Sequence, residues 1–209
     1  MGYFHLGYVY YHDYYMGNTK SPQETLNKAI ELAQKALAMD DSIAEAHGLL
    51  CSLYIAKKEY DKAIPEGERA VALNPGGTLE LTQYANSLNA AGRPKEAILV
   101  FQKAIRLNPF GPATLYRQYG LALRITGRFE EAVSAYKRAI QIAPDDLPSH
   151  AQLAALYILM GREKEARAEA AEVLMINPKF SADAYAKTPT LKDQSEVDKT
   201  TNALRKAGL

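Results

Sequence analysis

The stretch GRFEEAVSAYKRAIQIAP, residues 127–144, places small and large side chains at regular intervals. Ala132 and Ala139 are seven residues apart, and so are the bulky Phe129 and Tyr136. Seven residues make about two turns of an α-helix, so the members of each pair lie on the same face. The stretch therefore predicts a helix whose small-residue face lets a second helix approach closely.

The same spacing recurs in three other places along the chain. The matching stretches begin with KEYDK at Lys58, GRPKE at Gly92 and GREKE at Gly161. The prolines that close the four units are 34, 35 and 34 residues apart, and they are Pro75, Pro109, Pro144 and Pro178. A repeat of this length predicts helical hairpins stacked on one another, because a single hairpin cannot bury its apolar face alone.

Each repeat is predicted to contain a first helix, A, and a second helix, B. In the repeat that closes at Pro144, helix A is expected over about 113–126 and helix B over about 129–142. Gly127 lies between them, where a left-handed turn favours a residue without a β-carbon. Pro144 ends helix B because it lacks the amide that another helical turn would need.

These repeats resemble tetratricopeptide repeats, in which large residues, small residues and a closing proline stand at fixed positions. The match extends from Ile43 to Phe180, with Tyr116, Gly120 and Phe129 among the matching residues. The resemblance implies an all-α fold, a right-handed α-solenoid of tandem helix-turn-helix repeats with a C-terminal capping helix. Residues 1–209 are expected to form one domain, divided into an atypical first repeat with a long inter-helix loop (1–42), four repeats (43–76, 77–111, 112–145 and 146–179) and a capping segment (180–209).

The two ends depart from the regular repeat. Ser21, followed by Pro22 and Glu24, is predicted to start helix B of the first repeat as a capping box. At the other end, a helix is expected from about Ser195 to Ala207. The residues expected to cover the last repeat are Val197, Ala203 and Leu204.

A narrower resemblance covers nearly the whole chain. The stretches SPQETLNKAIELAQKALAMDDSIAEAHGLL (21–50), EGERAVALNP (66–75) and AIRLNPFGP (104–112) resemble the repeat region behind bacterial adenylate or guanylate cyclase catalytic domains. That region also has an elongated first repeat and a terminal helix similar to ALRKAGL (203–209). The resemblance implies the non-catalytic part of a larger signalling protein, or a stand-alone relative.

Charge and composition exclude some classes of function. The chain has 25 basic and 24 acidic residues, a formal net charge of +1, and no basic cluster of the kind that binds nucleic acid. No apolar run reaches the roughly 18 residues needed to cross a bilayer. The first residues show no secretory signal, and we expect a cytoplasmic protein.

No catalytic or metal-binding arrangement is recognisable in the sequence. His5 and His12 are two helical turns apart, about 10 Å along the axis, too far to share a metal ion. His47 and His150 occupy the same large-residue position of different repeats, so we expect them to pack. Cys51 stands at a small buried position, where inert packing is favoured over nucleophilic catalysis. We therefore expect no cofactor, no metal and no enzymatic activity; an enzyme with an unrecognised site is the alternative.

A polar surface remains as the candidate site. In a tetratricopeptide solenoid, one side of the A helices forms the concave inner face. Side-chain amides there can hold the backbone of an extended peptide, and arginines can pair with a carboxylate. The candidate partner-binding residues are Gln83, Asn86, Asn89, Arg117, Gln118, Arg124 and Gln152. The alternative is that an exposed helix face is simply polar.

The first helix is unusually rich in aromatic residues, which favours burial on more than one face. The residues of this candidate interface are Phe4, Tyr8, Tyr11, Tyr14 and Tyr15. They are expected to contact a preceding domain or a second copy of the chain. The alternative is that the long first loop folds back over them.

The sequence therefore predicts a non-catalytic scaffold that binds a protein or an extended, acidic peptide through its concave face, without nucleic acid and without membrane insertion. The alternative function is the regulatory tail of a larger bacterial nucleotide cyclase. The mass of the native protein distinguishes the two hypotheses.

Overall fold

The computed structural model describes residues 2–187 and 191–209 of the chain. Every regular element within those residues is an α-helix, and they contain no strand. The helices group into two compact units, unit 1 (Met1–Ala90) and unit 2 (Ala91–Leu209). The prediction of an all-α fold built from helical hairpins is confirmed.

Unit 1 is built from hairpins of neighbouring helices. Its helices are α1 (Gly2–Tyr15), α2 (Pro22–Met39), α3 (Ala44–Ala56), α4 (Tyr60–Leu73) and α5 (Thr78–Ala90). The first hairpin is α1 with α2, and the second is α3 with α4. Helix α5 is a helix A that packs mainly on α4, the preceding helix B, and also on α3.

Unit 2 continues the alternation of A and B helices. Its helices are α6 (Pro94–Leu107), α7 (Ala113–Ile125), α8 (Phe129–Ile142), α9 (Leu147–Leu159), α10 (Glu163–Ile176), α11 (Ala182–Tyr185) and α12 (Gln194–Ala207). Helix α7 pairs with α8, and α9 pairs with α10. The helices predicted over about 113–126 and 129–142 are observed as α7 and α8.

The turn between helices A and B requires a left-handed residue. Gly92, Gly127 and Gly161 fill this place in unit 2 with φ of 84°, 77° and 74°. In the α3–α4 hairpin of unit 1 the same place is taken by Lys58, with φ of 60°. A residue with a β-carbon is strained in this conformation, so the α3–α4 turn is less favourable than the glycine turns.

The small residues lie at helix contacts, as their spacing predicted. Ala104 and Ala139 are fully buried, and Ala139 packs against Tyr116 of α7. Gly120 lies beneath the buried ring of Tyr136, where a β-carbon would come within 2.8 Å of a ring carbon. The alternation of small and large side chains therefore sets how closely α7 and α8 approach.

Two histidines hold their hairpins together with the same set of contacts. In the hairpin α3–α4, Nδ1 of His47 lies 2.6 Å from a carboxylate oxygen of Glu66, and Nε2 lies 3.0 Å from the carbonyl oxygen of Asp41. In α9–α10, His150 makes the equivalent contacts with Glu169 at 2.7 Å and the carbonyl of Pro144 at 3.0 Å. Both histidines are buried, as predicted, and each also links helix A to helix B through a carboxylate.

The predicted capping box at the start of α2 is wrong. Helix α2 does begin at Pro22, but the side chain of Ser21 makes no capping hydrogen bond. The local hydrogen bonds are made by Thr19 instead. Its hydroxyl accepts a hydrogen bond from the amide of Ser21 at 3.2 Å and lies 2.6 Å from the hydroxyl of Thr25. The entry into α2 is therefore organised by the preceding loop.

The C-terminal helix α12 begins and ends close to the predicted residues. Asp193 caps it by accepting a hydrogen bond from the amide of Ser195 at 2.9 Å, and Gly208 ends it with φ of 99°. Residues 188–190 of the predicted capping segment lie outside the described residues. The residues of α12 that were expected to cover the last repeat are buried: Val197, Ala203 and Leu204. The helix packs chiefly on α9, a helix A, and less on α10.

Candidate functional site

The α5 amide face comprises Gln83, Asn86 and Asn89 in unit 1. Gln83 and Asn89 are buried, and Asn86 is half-buried. Nε2 of Gln83 donates a hydrogen bond to the hydroxyl of Tyr8 on α1 at 3.2 Å. Gly48 of α3 makes room for this amide, because a β-carbon there would lie 2.2 Å from Oε1 of Gln83.

Several polar atoms of the α5 amide face have no hydrogen-bond partner among the described residues. They are Oε1 of Gln83, Oδ1 of Asn86 and both amide atoms of Asn89. A buried polar atom without a partner costs about 1–3 kcal/mol, and each such group in a folded protein requires an explanation. The α5 amide face therefore retains unused hydrogen-bonding capacity.

The arginine face comprises Arg117, Gln118 and Arg124 of α7 and Gln152 of α9, all in unit 2. Gln118 is half-buried, and the other three are buried. Nη1 of Arg117 donates a hydrogen bond to the carboxylate of Asp146, which also caps α9.

Arg124 is the more deeply buried of the two arginines, with a side chain only 1% exposed. Its Nη1 donates to Oε2 of Glu196 on α12 at 3.3 Å, so both predicted anchors are already paired with carboxylates of unit 2. Its Nε and Nη2 have no partner that satisfies hydrogen-bond geometry among the described residues.

Two tyrosines border the arginine face, the buried Tyr136 and the half-buried Tyr185. Nε2 of Gln152 donates a hydrogen bond to the hydroxyl of Tyr185 on α11, while its Oε1 has no partner among the described residues. Burial raises the pKa of Tyr185 and of Tyr136, and the nearby charge of Arg124 opposes this shift only in part. Both phenols therefore remain neutral at physiological pH and offer hydroxyl groups to their neighbours.

The aromatic residues of α1 divide between the core and the surface. Those that pack against the core of unit 1 include Phe4, Tyr8, Tyr11 and Tyr14. Tyr15 is 59% exposed. The exposed side of α1 also carries Leu6 and Val9, which are 45% and 54% exposed. Sequence reasoning missed these two aliphatic residues, because it associated the interface with the aromatic ones.

Other kinds of site receive no support from the described residues. They contain no group of three or more His, Cys, Asp and Glu side chains that could hold a metal ion. Cys51 is fully buried, its thiol donates to the carbonyl of Gln83 at 3.4 Å, and burial raises its pKa to about 12. Within residues 2–187 and 191–209, no helix has the length and apolar character that a bilayer span requires.

Sequence reasoning also missed the partners of the candidate residues. The structure pairs them with Tyr8, Asp146, Tyr185 and Glu196. Each of these lies on another helix or at the cap of one, between 29 and 75 residues away from the candidate residue that it contacts. A tyrosine-rich first helix was a visible signal for Tyr8, but no local pattern distinguishes Glu196 from other acidic residues at a helix start.

Comparison with protein families agrees with the repeat geometry. Three family models, each described as tetratricopeptide repeat, match residues 23–78, 77–145 and 123–188. Together they extend over most of the chain. The chain belongs to the tetratricopeptide-repeat family. A sequence search of curated proteins finds no significant match.

Solved tetratricopeptide-repeat structures are similar over nearly the whole chain. TTC0263, a thermophilic tetratricopeptide-repeat protein of Thermus thermophilus, has 23% identity and a TM-score of 0.73, covering 100% of this chain and 98% of that one. PilW, described as a widely conserved type IV pilus biogenesis factor, has 20% identity and a TM-score of 0.76, covering 99% and 87%. YrrB, described as having an unusual peptide-binding site, has 21% identity and a TM-score of 0.61, covering 90% and 91%. At these identities the similarity shows the fold alone.

Proposed function

We propose that this tetratricopeptide-repeat protein is a non-catalytic scaffold that binds a peptide or partner protein at the α5 amide face of unit 1 and at the arginine face of unit 2. The observation that supports the proposal is the set of buried polar atoms without partners among the described residues. Five of the seven candidate residues contribute such atoms: Gln83, Asn86, Asn89, Arg124 and Gln152. Tetratricopeptide repeats generally mediate protein–protein interactions, and the peptide-binding site named for YrrB is consistent with this use of the fold.

The spacing of the α5 amides suits an extended peptide. Gln83, Asn86 and Asn89 follow one another at intervals of three residues, so they lie near one side of the helix. Their span along the axis is about 9 Å, at about 1.5 Å per residue. An extended chain advances about 3.3 Å per residue, so three peptide residues can face these amides.

The arginine face is the reason that we expect an acidic partner. Arg117 and Arg124 are already paired with Asp146 and Glu196, so a partner's carboxylate has to exchange with a resident one. The attraction between an approaching acidic peptide and these charges is screened by salt over about 10 Å at 0.1 M. We therefore expect weak binding of an acidic peptide that weakens further as the salt concentration rises.

A peptide selection tests the α5 amide face. Random peptides displayed on phage are selected against the full chain, and the selected peptides are then measured against Gln83→Ala/Asn86→Ala. Each lost hydrogen bond is worth about 0.5–1.5 kcal/mol, so affinity is expected to fall about tenfold. Truncating the arginines is avoided here, because it would remove the guanidinium partners of Asp146 and Glu196.

The chain offers a matched control for this selection. Gln23 and Asn27 are exposed on α2, and their side chains bond to each other at 3.3 Å. Gln23→Ala/Asn27→Ala removes the same chemical groups from a different helix and is expected to leave peptide affinity unchanged. Equal affinities for the wild type and both variants would show that the α5 amide face does not bind the peptide.

A second proposal concerns the wider protein. The cyclase-like sequence stretches favour a regulatory tail of a nucleotide cyclase, and residues 16–21 form a connection between α1 and α2 that is longer than residues 57–59 between α3 and α4. An antibody against this chain should then detect a band much heavier than 23.1 kDa in native extracts. A band at that mass favours the stand-alone scaffold. The same extracts, after fractionation, test the expected cytoplasmic location.

The exposed side of α1 is proposed as a further contact surface. Tyr3, Leu6, Val9 and Tyr15 leave large apolar area exposed there, which supports contact with a preceding domain or a second copy of the chain. Leu6→Ser/Val9→Ser removes the aliphatic part of this surface. Analytical ultracentrifugation of the wild type and the variant tests self-association: a dimer that the variant loses supports the second copy.

A further inference from the structure

Helices α11 and α12 cover part of the arginine face. Tyr185 of α11 accepts a hydrogen bond from Gln152, and Glu196 of α12 accepts one from Arg124. Helix α12 packs mainly on the helix A of the last hairpin, α9. A helix that simply continued the array would pack mainly on the preceding helix B, as α5 packs on α4. The C-terminal helices therefore lie where a ligand of the A helices would lie.

The fit between α12 and the arginine face is incomplete. Arg124 is almost fully buried, yet Nε and Nη2 of its guanidinium make no well-aligned hydrogen bond among the described residues, although the hydroxyl of Tyr136 lies nearby. A carboxylate facing a guanidinium fork can accept two parallel hydrogen bonds. Glu196 makes one contact, at 3.3 Å, and its other oxygen is held by Nζ of Lys199 at 2.6 Å. An incoming carboxylate can therefore satisfy Arg124 better than Glu196 does.

We propose that the α11–α12 segment is an intramolecular ligand of the arginine face. The external partner is then a segment of the same chemistry. It carries a phenolic or other amide-binding side chain that contacts Gln152, and a carboxylate that contacts Arg124. This inference rests on the proposed function and identifies the partner of one of its two faces. The resident segment is tethered, so its effective concentration is high and weak competitors are excluded. Only a partner that gains the second hydrogen bond to Arg124 displaces it.

A peptide copy of the resident segment tests the inference. A fluorescently labelled peptide with residues 181–209 is titrated with the full chain and with Tyr185→Phe/Glu196→Gln. In the variant, Gln152 loses its phenol and Arg124 keeps a buried charge without a partner, which favours detachment of the resident segment. The peptide should bind the variant at least tenfold more tightly than the wild type, measured by anisotropy. A peptide carrying the same two substitutions should bind neither protein.

A matched control comes from the same segment. Asp183 and Arg205 form an exposed ion pair between α11 and α12, with an N–O distance of 2.6 Å, and neither is bonded to Gln152 or Arg124. Asp183→Ala/Arg205→Ala is expected to bind the peptide like the wild type. Hydrogen exchange should show faster exchange in α12 of Tyr185→Phe/Glu196→Gln, while α8 and α10 stay protected.

The outcomes separate this inference from the proposed function. Equal peptide binding by all three proteins overturns the inference, and so does loss of protection throughout unit 2, which would show that α12 belongs to an inseparable core. If selected peptides still depend on Gln83 and Asn86 while the 181–209 peptide fails to bind, the proposed function stands and this inference alone is removed.

Discussion

Gln83 in unit 1 and Gln152 in unit 2 occupy the same position of their repeats but have different surroundings. Each donates a hydrogen bond to the hydroxyl of a tyrosine on another helix: Gln83 to Tyr8 of α1, and Gln152 to Tyr185 of α11. The side-chain contact of Gln83 is with a neutral group. Gln152 instead lies on a face with two buried arginines, each paired with a carboxylate.

The comparison shows that the same repeat position can have neutral or charged neighbours. The cost in stability of substitutions there differs accordingly. A neutral hydrogen bond contributes little net stability, because water replaces it in the unfolded chain. Removing one member of a buried ion pair is far more damaging, since the other charge is left without a partner in a poorly hydrated place. The two units should therefore respond differently to equivalent substitutions.

The largest effect is expected from Arg124→Ala. It removes the guanidinium partner of the largely buried Glu196 and leaves only Lys199 on its other oxygen, which should lower the free energy of unfolding by about 3 kcal/mol. Gln83→Ala should cost only about 1–2 kcal/mol, because a neutral phenol loses one hydrogen bond. Urea unfolding of both variants, followed by hydrogen exchange in each unit, measures the difference.

A double substitution sharpens this test. Arg124→Met/Glu196→Leu removes both charges and should recover most of the lost stability, since apolar side chains can replace a buried ion pair. Similar losses for Arg124→Ala and Gln83→Ala would mean that the contrast between the two units is not electrostatic.

The next effect concerns a feature that the two units share. Ala70 of α4 and Ala139 of α8 occupy the same position of their repeats, and both are fully buried. Ala70→Leu and Ala139→Leu should each cost about 1–3 kcal/mol through overpacking. Thermal unfolding measures the losses, with Ala168→Leu on the exposed side of α10 as the control. Unchanged midpoints for the two buried substitutions would show that the repeat register is misplaced there.

Smaller effects on stability are expected at the turns between helices A and B, and one of them is a gain. Lys58 adopts a left-handed conformation that Gly92, Gly127 and Gly161 adopt in unit 2. Lys58→Gly should therefore raise stability by about 1 kcal/mol, and Gly127→Lys should lower it by about 1–2 kcal/mol. Both changes are measurable by urea unfolding. A loss of stability in Lys58→Gly would mean that contacts of the lysine side chain outweigh its backbone strain.

At neutral pH, the smallest of these effects on the free energy of unfolding is expected for Cys51, whose thiol lies in unit 1. Burial raises its pKa from 9.0 to about 12, so the unfolded chain releases the thiol proton at a lower pH than the folded protein. Its contribution to stability is complete below pH 9 and is lost as the pH rises toward 12. Unfolding measured from about pH 8 to about pH 10.5 should show a steeper decline for the wild type than for Cys51→Ala.

The reactivity of the same thiol is an independent check. At about pH 8 the folded protein should resist alkylation by iodoacetamide, and the protein in urea should react, as followed by mass spectrometry. Rapid modification of the folded protein would show that the segment around Cys51 opens readily.

Much of the fold could be predicted from the sequence because the signals are local and repeated. The spacing of Ala132 and Ala139 set the register of a helix face, and Gly127 and Pro144 marked where helices end. These signals depend on backbone geometry within a few residues. The prediction of a capping box at Ser21 was wrong for a reason that is also local. Thr19 accepts the hydrogen bond from the amide of Ser21, and the capping-box motif does not include a residue at that position.

The candidate site was predictable only as a helix face. Helical periodicity placed Gln83, Asn86 and Asn89 on one side of α5, and the same reasoning placed Arg117 and Arg124 on α7. Periodicity states which residues share a side but carries no information about what lies opposite. The expectation of exposed charged anchors therefore did not foresee that both arginines are buried.

By itself, the sequence determined the helical class, the period of the repeats and the glycine turns, since each follows from interactions between near neighbours in the chain. It also determined the small-residue contacts, because these join the two adjacent helices of one hairpin. Only the tertiary structure decided the partners: Gln83 meets Tyr8 across 75 residues, and Arg124 meets Glu196 across 72. Such contacts depend on how the helices of each unit pack. A side chain buried by packing pairs with whichever polar group the fold brings within reach, because a charge or amide left alone there would be costly.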